Sequence, residues 1–543
     1  MEMLVYSSSF LPNVSSSWKH TEEVAEGLVF SEFGNIVELF EGIKTFDKVL
    51  CVIFQQDLTG KAENLKARYS HILKSLEKSL PKTKGQVFLA FSDYIHLNVT
   101  KTVKKKHREH DLINEFKNSI YKLVEKYPSF HFIDLDAVFA EIGYLKAYDS
   151  RNWYFAHMRL SQKGFLLLDE TVAKIIYSVN NSPKKILVLD CDNTLWKGVI
   201  GEDGIDGIQL GTDGIGKAFQ DFQREVREVS NTGTLLAVSS KNELNDVMEV
   251  FQEHSGMILK PENIVSFRVN WSEKHKNIKE ISEELNIGLN SFVFWDDNPL
   301  EREKIKKFLP EVEVVEVPNE VNNWPKLIAQ LASLSKITTT EDDVNKLNQY
   351  KQRSSFIESK KEAKDNGNFL KDIKLEPELF NVVKENIPRS SQLAMKTNQF
   401  NFRTQRYAED EISKLTKNSG YTCKLCKAKD IFGDHGDIGL VILEQIDSTA
   451  YFLDTFLLSC RILGRNLELW IMQKILNDLN DSNVKYLYIE FIPTERNKPA
   501  KEFLDMFQKF RSDFDFGEKK GSSEKYVVPT NTTFVDIKEL YKR

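Results

Sequence analysis

"ILVLDCDNTLWKG" (residues 186–198) decides the fold. Four consecutive apolar residues read as a buried strand, and the chain then turns polar at Asp190 and Asp192, two positions apart. In an extended chain residues i and i+2 face the same side. Both carboxylates are therefore expected to project together from the carboxyl end of the strand, where ligands sit in open parallel sheets. Paired carboxylates beside a buried strand call for a cation, most simply a metal. An Asx turn with a helix cap in "DNT" accounts for one aspartate but not for two.

The strand belongs to a repeating pattern. "TLLAVSS" (234–240), "NIVSFRV" (263–269), "SFVFWDD" (291–297) and "VEVVEV" (312–317) alternate with helical stretches, the rhythm of a doubly wound parallel sheet. Upstream, "KVLCVIF" (48–54), "QVFLAF" (86–91) and "FHFIDL" (130–135) alternate with helices in the same way and predict a separate parallel α/β domain over 1–182. The basic run "KTVKKKHREHDL" (101–112) leads into a helical segment holding Leu112, Ile113 and Phe116, and reads as a solvated helix entrance. The second α/β domain spans 183–334, and a charged helical arm spans 335–376. The last domain, 377–543, mixes the strands "GLVILEQI" (439–446), "AYFLDTFLLS" (450–459) and "VKYLYIEFI" (484–492) with the helix "NLELWIMQKILNDL" (466–479).

Composition bounds the function. A chain of 543 residues exceeds one hydrophobic core. A net charge of -6 and a pI near 6.0 give no electrostatic footprint for nucleic acid, and none is expected as a partner. The opening "MEMLVYSSSFLPN" has no basic n-region or long apolar h-region, and no segment approaches the ~18 apolar residues of a membrane span, so a cytoplasmic protein is expected. Five cysteines make no disulfide framework, and "CKLC" (423–426) stands without a second pair or a nearby His motif. Two semi-buried thiols on a strand or turn suit it better than zinc.

Three further segments complete a constellation around the aspartates. "LLAVSSKN" (235–242) places Ser240 just past a second apolar strand, where its hydroxyl and nearby amides can hold phosphoryl oxygens. "NWSEKHKNIKEISEELNI" (270–287) sets Lys274 at the start of a helix whose core face is Ile278, Ile281 and Leu285. "FVFWDDNPLERE" (292–303) closes a third strand with Asp296 and Asp297, followed by Glu301. The ordered set D-x-D-x-T, Ser, Lys and acidic pair resembles the haloacid-dehalogenase (HAD) phosphotransferase superfamily. The resemblance implies Asp190 as nucleophile and Asp192 as general acid and base. It implies Thr194, Ser240, Lys241 and Lys274 around the phosphoryl group. Mg²⁺ would be bound by Asp190, the Asp192 carbonyl and Asp297, with Asp296 nearby and Glu301 supporting Asp297. Cys191 should point away from its flanking aspartates and pack. Only about thirty-five residues separate the nucleophile from the second strand, and "GEDG" between "VI" and "IQL" predicts a hairpin flap, leaving no room for a large cap.

"SQLAMKTNQFNFRTQRY" (391–407) and "SCRILGRNLELW" (459–470), with the two aspartate motifs, look like the FkbH-like family of HAD proteins. The resemblance implies a non-catalytic SGNH-hydrolase-like α/β domain, the HAD domain with a minimal cap, and a GNAT-like α+β acyltransferase domain. It further implies loading of a glyceryl unit from 1,3-bisphosphoglycerate onto the phosphopantetheine arm of an acyl carrier protein, with dephosphorylation at the HAD site. "SCRILGRN" follows an apolar strand and precedes a helix, so its amides, with Arg461 and Gly464, can cradle phosphates or a pantetheine arm. Asn466 replaces the last small residue of the usual acetyltransferase pattern. Cys460 reads equally well as an acyl-carrying thiol and as a structural one. Lys396, Asn398, Gln399 and Arg403 read either as substrate or carrier contacts or as a polar face buried at a domain junction. A stand-alone phosphatase and a carrier-recruiting scaffold are the competing functions. For the first domain, "SSSFLPN" (7–13) lacks a Gly-Asp-Ser nucleophile, and Ala156 and His157 stand where an acid–base pair is needed.

Overall fold

The strand Ile186–Leu189 lies at the centre of its sheet with all four residues fully buried. The computed structural model describes residues 2–25, 27–31, 43, 45–58, 62–83, 85–94, 108–336, 350–353, 356, 359, 371–512 and 523–535. The chain divides into two compact units, Met1–Pro183 and Lys184–Arg543. Among the described residues no helix is long and apolar enough to cross a membrane.

In the first unit, β1 (Met3–Ser7), β2 (Leu28–Phe30), β3 (Lys48–Phe54), β4 (Gln86–Ser92) and β5 (Phe130–Asp134) form an all-parallel sheet in the order β2-β1-β3-β4-β5. Unbroken apolar runs suit strands covered on both faces. Ile72 and Leu76 of the helix Ala62–Ser79 and Ile113 and Phe116 of the helix Arg108–Lys126 cover one face. Trp18 with Leu168, Val172 and Ile176 of the helix Gln162–Asn180 covers the other. Most of the basic run at 101–112 lies outside the described residues; the helix begins at Arg108.

The second unit holds two sheets. β6 (Ile186–Leu189), β7 (Leu235–Ser240), β8 (Ile264–Val269), β9 (Phe292–Trp295) and β10 (Glu313–Val314) run parallel in the order β10-β9-β6-β7-β8. Side-chain alternation divides β6 cleanly. Leu187 and Leu189 meet Phe219 and Phe222 of the helix Gly214–Asn231, whereas Ile186 and Val188 meet Ile278, Ile281 and Leu285 of the helix Lys274–Leu285. Only Glu313–Val314 of the expected strand 312–317 pairs, at the sheet edge.

The expected hairpin flap after the nucleophile strand is a short helix, Ile200–Gly207, kinked at Gly204 (φ 68°). Its first amides find carboxylates: Val199 N donates to Asp203 Oδ2 at 2.7 Å and Ile200 N to Asp192 Oδ1 at 3.1 Å. Satisfied N-terminal amides and the buried Ile200 favour the helix over a two-stranded flap. All that remains of the hairpin is one antiparallel bridge, Lys197 to Gln209.

The last sheet runs β11 (Glu376–Asn381), β13 (Tyr421–Asp430), β14 (Gly433–Gln445), β15 (Ala450–Leu458), β16 (Tyr486–Phe491) and β17 (Glu524–Pro529) in that spatial order. It is antiparallel except between β15 and β16, which the helix Leu467–Asp481 connects in a parallel crossover, giving a GNAT-like α+β layout. Beyond the pair Leu453–Ile489 these two strands part, and β12 (Phe400–Asn401) closes the gap. Phe400 and Asn401 pair with Leu458 and Leu457 on one side, and on the other Ile492 N donates to the Phe402 carbonyl at 2.8 Å. Most of the expected arm, 337–349 and much of 354–370, lies outside the described residues.

Cys423 and Cys426 both lie on β13. Three positions apart on a strand, they face opposite ways, and each joins a different core cluster. The sheet therefore separates the two sulfurs of "CKLC". Burial pushes the thiols of Cys51, Cys191, Cys423 and Cys426 up, and Cys460 alone among the five cysteines is partly exposed. Under native conditions a thiol reagent should modify Cys460 quickly and the other four only on unfolding. A second fast-reacting thiol would contradict this packing.

One ion pair in this sheet is fully buried. Arg465 Nε meets Asp430 Oδ2 at 2.7 Å, His435 Nε2 lies 3.0 Å from the same oxygen, and the guanidinium sits 3.8 Å from the Phe356 ring centroid. Burial alone would raise the Asp430 carboxyl, but His435 and Arg465 hold it below the usual value. Its stabilisation is therefore present above about pH 4 and lost as pH falls through the lowered value. Arg465→Met strands the carboxylate and should cost about 3–5 kcal/mol in urea unfolding at pH 7, with the deficit shrinking in acid. A loss under about 1 kcal/mol would show the pair to be dispensable.

Candidate active site

Asp190 follows β6 directly, and its amide continues the ladder by donating to the Trp295 carbonyl at 3.2 Å. Two donors converge on its Oδ1: Ser240 Oγ, the last residue of β7, at 2.7 Å, and Lys274 Nζ, the first residue of its helix, at 2.8 Å. Lys274 also reaches Asp296 Oδ2 at 2.6 Å. Burial alone would depress the Lys274 ammonium, but Asp190 and Asp296 outweigh it and hold it above the ordinary lysine value. Three strand ends and one helix start thus bring Asp190, Ser240, Lys274 and Asp296 together.

Asp190, Asp296 and Asp297 each place a carboxylate oxygen within 4.8 Å of the others. Burial first, and then the charge of Asp190, pushes the carboxyls of Asp296 and Asp297 upward. Against three acids stands one ammonium, hydrogen-bonded to two of them, so the cluster carries excess negative charge in a desolvated place. An oxygen-only donor set of this kind fits a hard divalent cation.

The Asp192 carboxylate stands outside that set. After Asp190 the chain leaves the extended form, with Asn193 in left-handed backbone (φ 54°), and Asp192 turns to its own donors. Oδ1 accepts from Trp196 Nε1 at 3.0 Å and Ile200 N at 3.1 Å, and Oδ2 accepts from Asn242 Nδ2 at 3.0 Å. Burial raises its carboxyl. Asn242 Nδ2 lies 3.1 Å from Ser240 Oγ as well, so it links the two aspartates through one amide. Sequence reading passed over Asn242, although it closes the quoted "SSKN".

Other residues fall differently from expectation. The Thr194 hydroxyl engages the amide and Oδ1 of Asp297, both at 3.3 Å, and so fixes the acidic loop. Glu301 does not bond Asp297; it pairs with Lys241 at 3.2 Å and Lys304 at 3.1 Å, and Lys241 also meets Glu273 at 3.7 Å. The support comes from Arg302, unremarked in the sequence, whose Nη1 donates to the Asp296 and Asp297 carbonyls at 2.9 and 2.8 Å. Cys191 is buried in the core beneath the sheet.

In the last sheet Cys460 opens the turn Cys460–Ile462. Tyr350 Oη lies 3.7 Å from its Sγ, and Arg353 donates to its carbonyl. The Arg461 side chain lies outside those described, and Gly464 holds left-handed backbone (φ 90°) ahead of Asn466 (φ 59°). Lys396 is exposed, Asn398 accepts from Arg406, and Gln399 donates to the Asn286 carbonyl at 3.4 Å. Arg403 bonds Asp454 and Glu490. None of these hydrogen bonds joins them to Cys460.

No family model and no curated protein matches the chain. Among solved structures it resembles the N-terminal part of BF1531 from Bacteroides fragilis, which contains a phosphatase domain complexed with Mg: 25% identity, TM-score 0.55, 62% of this chain and 94% of that one. Also matched are the ribosomal-protein-S18-alanine N-acetyltransferase of Escherichia coli (8% identity, TM-score 0.22, 29% of this chain and 96% of that one) and an N-acetyltransferase of Staphylococcus aureus Mu50 (14% identity, TM-score 0.23, 28% and 98%). With the aspartate geometry, the BF1531 likeness makes this chain an enzyme with a HAD-type phosphatase domain, followed by a GNAT-like sheet.

Proposed function

We propose that the chain is a Mg²⁺-dependent phosphatase and acyltransferase of the cytoplasm. The observation that carries the reading is the convergence of Ser240 and Lys274 on Asp190 Oδ1, with Asp296 and Asp297 alongside. Asp190, Asp296 and Asp297 would hold the Mg²⁺, which when bound neutralises charge between the acids and the phosphoryl oxygens. No donor among the described residues takes Asp190 Oδ2, and this oxygen attacks phosphorus to form an aspartyl-phosphate. Asp192, with its carboxyl raised by burial, supplies a proton to the departing oxygen and then takes one from the water that cleaves the intermediate. Ser240 and Lys274 hold the carboxylate in place and hydrogen-bond the phosphoryl oxygens.

The finer reading is FkbH-like. The Cys460 thiolate attacks the acyl-phosphate carbon of 1,3-bisphosphoglycerate and expels phosphate. The phosphopantetheine thiol of an acyl carrier protein then takes the acyl group from the thioester, and the remaining phosphate monoester is hydrolysed at Asp190. The exposure of Cys460, alone among the cysteines, supports this order. One observation favours a stand-alone phosphatase instead: Phe400–Asn401 occupies the gap between β15 and β16.

Asp190→Asn should lower Mg²⁺-dependent phosphate release at least about a thousandfold while the circular dichroism spectrum stays unchanged. Release that survives the change would remove Asp190 as nucleophile. Intact-mass spectrometry after mixing with 1,3-bisphosphoglycerate should find a covalent acyl adduct that Cys460→Ser abolishes. Phosphate release with no adduct would establish the stand-alone phosphatase.

A further inference from the structure

We propose that the first unit binds an uncharged small molecule with an apolar face and a hydrogen-bonding oxygen, in a pocket at the carboxyl end of β1. The strand order β2-β1-β3-β4-β5 reverses direction at β1 and β3, and open parallel sheets take ligands at that switch point. A cavity of about 360 Å³ lies beside that point, at the carboxyl ends of β1 and β2, within the size range of small-molecule sites. Val5, Phe10, Leu11 and Phe30 give it an apolar surface, and the polar lining is Ser7, Ser9, Ser31 and Asn13.

The three consecutive serines are not equivalent. Ser7 Oγ accepts from the Ser9 amide at 3.4 Å. Ser8 Oγ accepts from Phe54 N at 2.9 Å and donates to Asp57 Oδ2 at 2.7 Å. Ser9 Oγ is buried and has no hydrogen-bond partner among the described residues, although it lines the cavity. A buried hydroxyl left unmatched costs stability, and a ligand oxygen would satisfy it.

The lining also fixes the charge of the occupant. Among the described residues no lining side chain is ionisable, and Asp57, which holds the Ser8 hydroxyl, is itself paired: its Oδ1 meets Arg159 Nη2 at 2.7 Å and Nε at 2.9 Å. A phosphate or carboxylate would enter unpaired, so a neutral molecule fits. With no base among the described lining residues, the pocket is assigned to binding and not to turnover. It is preformed, because Trp18 Nε1 donates to the Pro12 carbonyl at 2.8 Å and Trp18 packs on Phe30.

The test uses the full chain with methyl-labelled valine and leucine, titrated with cyclohexanol and separately with cyclohexanecarboxylate. Cyclohexanol should shift the Val5 and Leu11 methyl signals saturably, at least about tenfold more tightly than the carboxylate. Ser9→Ala should weaken cyclohexanol about five- to tenfold without lowering Tm, since the hydroxyl has no partner to lose. Three results would each overturn the site: no saturable shift, equal binding of the carboxylate, or Ser9→Ala lowering Tm with affinity unchanged.

Discussion

Crowding of negative charge at the ends of two neighbouring strands governs the phosphatase domain. Asp190 after β6 and Asp296 and Asp297 after β9 are forced together because those strands pair in register, Leu189 beside Trp295. One ammonium, Lys274, lies between two of them. Coulomb repulsion between carboxylates of which Asp190 and Asp296 are buried is costly, and a cation gathered there relieves it. The site's serine answers that crowding by donating to Asp190, while its asparagine holds the separate Asp192 carboxylate and its arginine fixes the carbonyls of the acidic loop.

Much of this was legible because it is local. An unbroken apolar run marks a strand buried on both faces, and an acid directly after it must sit at the sheet's carboxyl edge. Asp190, Ser240, Lys274 and Asp296 therefore came from pattern alone. Arg302 and Asn242 did not: Arg302 acts on backbone carbonyls, which leave no trace in side-chain pattern, and Asn242 reaches an aspartate fifty residues away. Glu301 misled because Asp297 lies ahead of the helix that begins at Pro299, so the spacing does not bring the two together, and Lys304 one turn on and Lys241 from the β7 end claim its carboxylate. The predicted flap failed because glycines and aspartates suit a hairpin turn and a capped helix equally well, and the choice rested on Asp192, a residue outside the segment.

The GNAT-like sheet carries a second lesson about parting strands. Where β15 and β16 diverge, backbone groups on both edges lose their partners. The chain supplies its own substitute, "FNF", and seals it with Phe456 and Phe503 against Phe400. Buried charge in the same sheet is paired as well, Arg465 with Asp430.

Arg302 grips two successive carbonyls with one nitrogen, so the peptide bearing Asp296 and Asp297 is stiff. The short helix Ile200–Gly207 is entered through Gly198 (φ 113°) and kinked within at Gly204 (φ 68°), backbone shapes that other residues rarely adopt. A side chain at either glycine would strain the turn that carries this helix, so the shape of that turn depends on both positions staying bare.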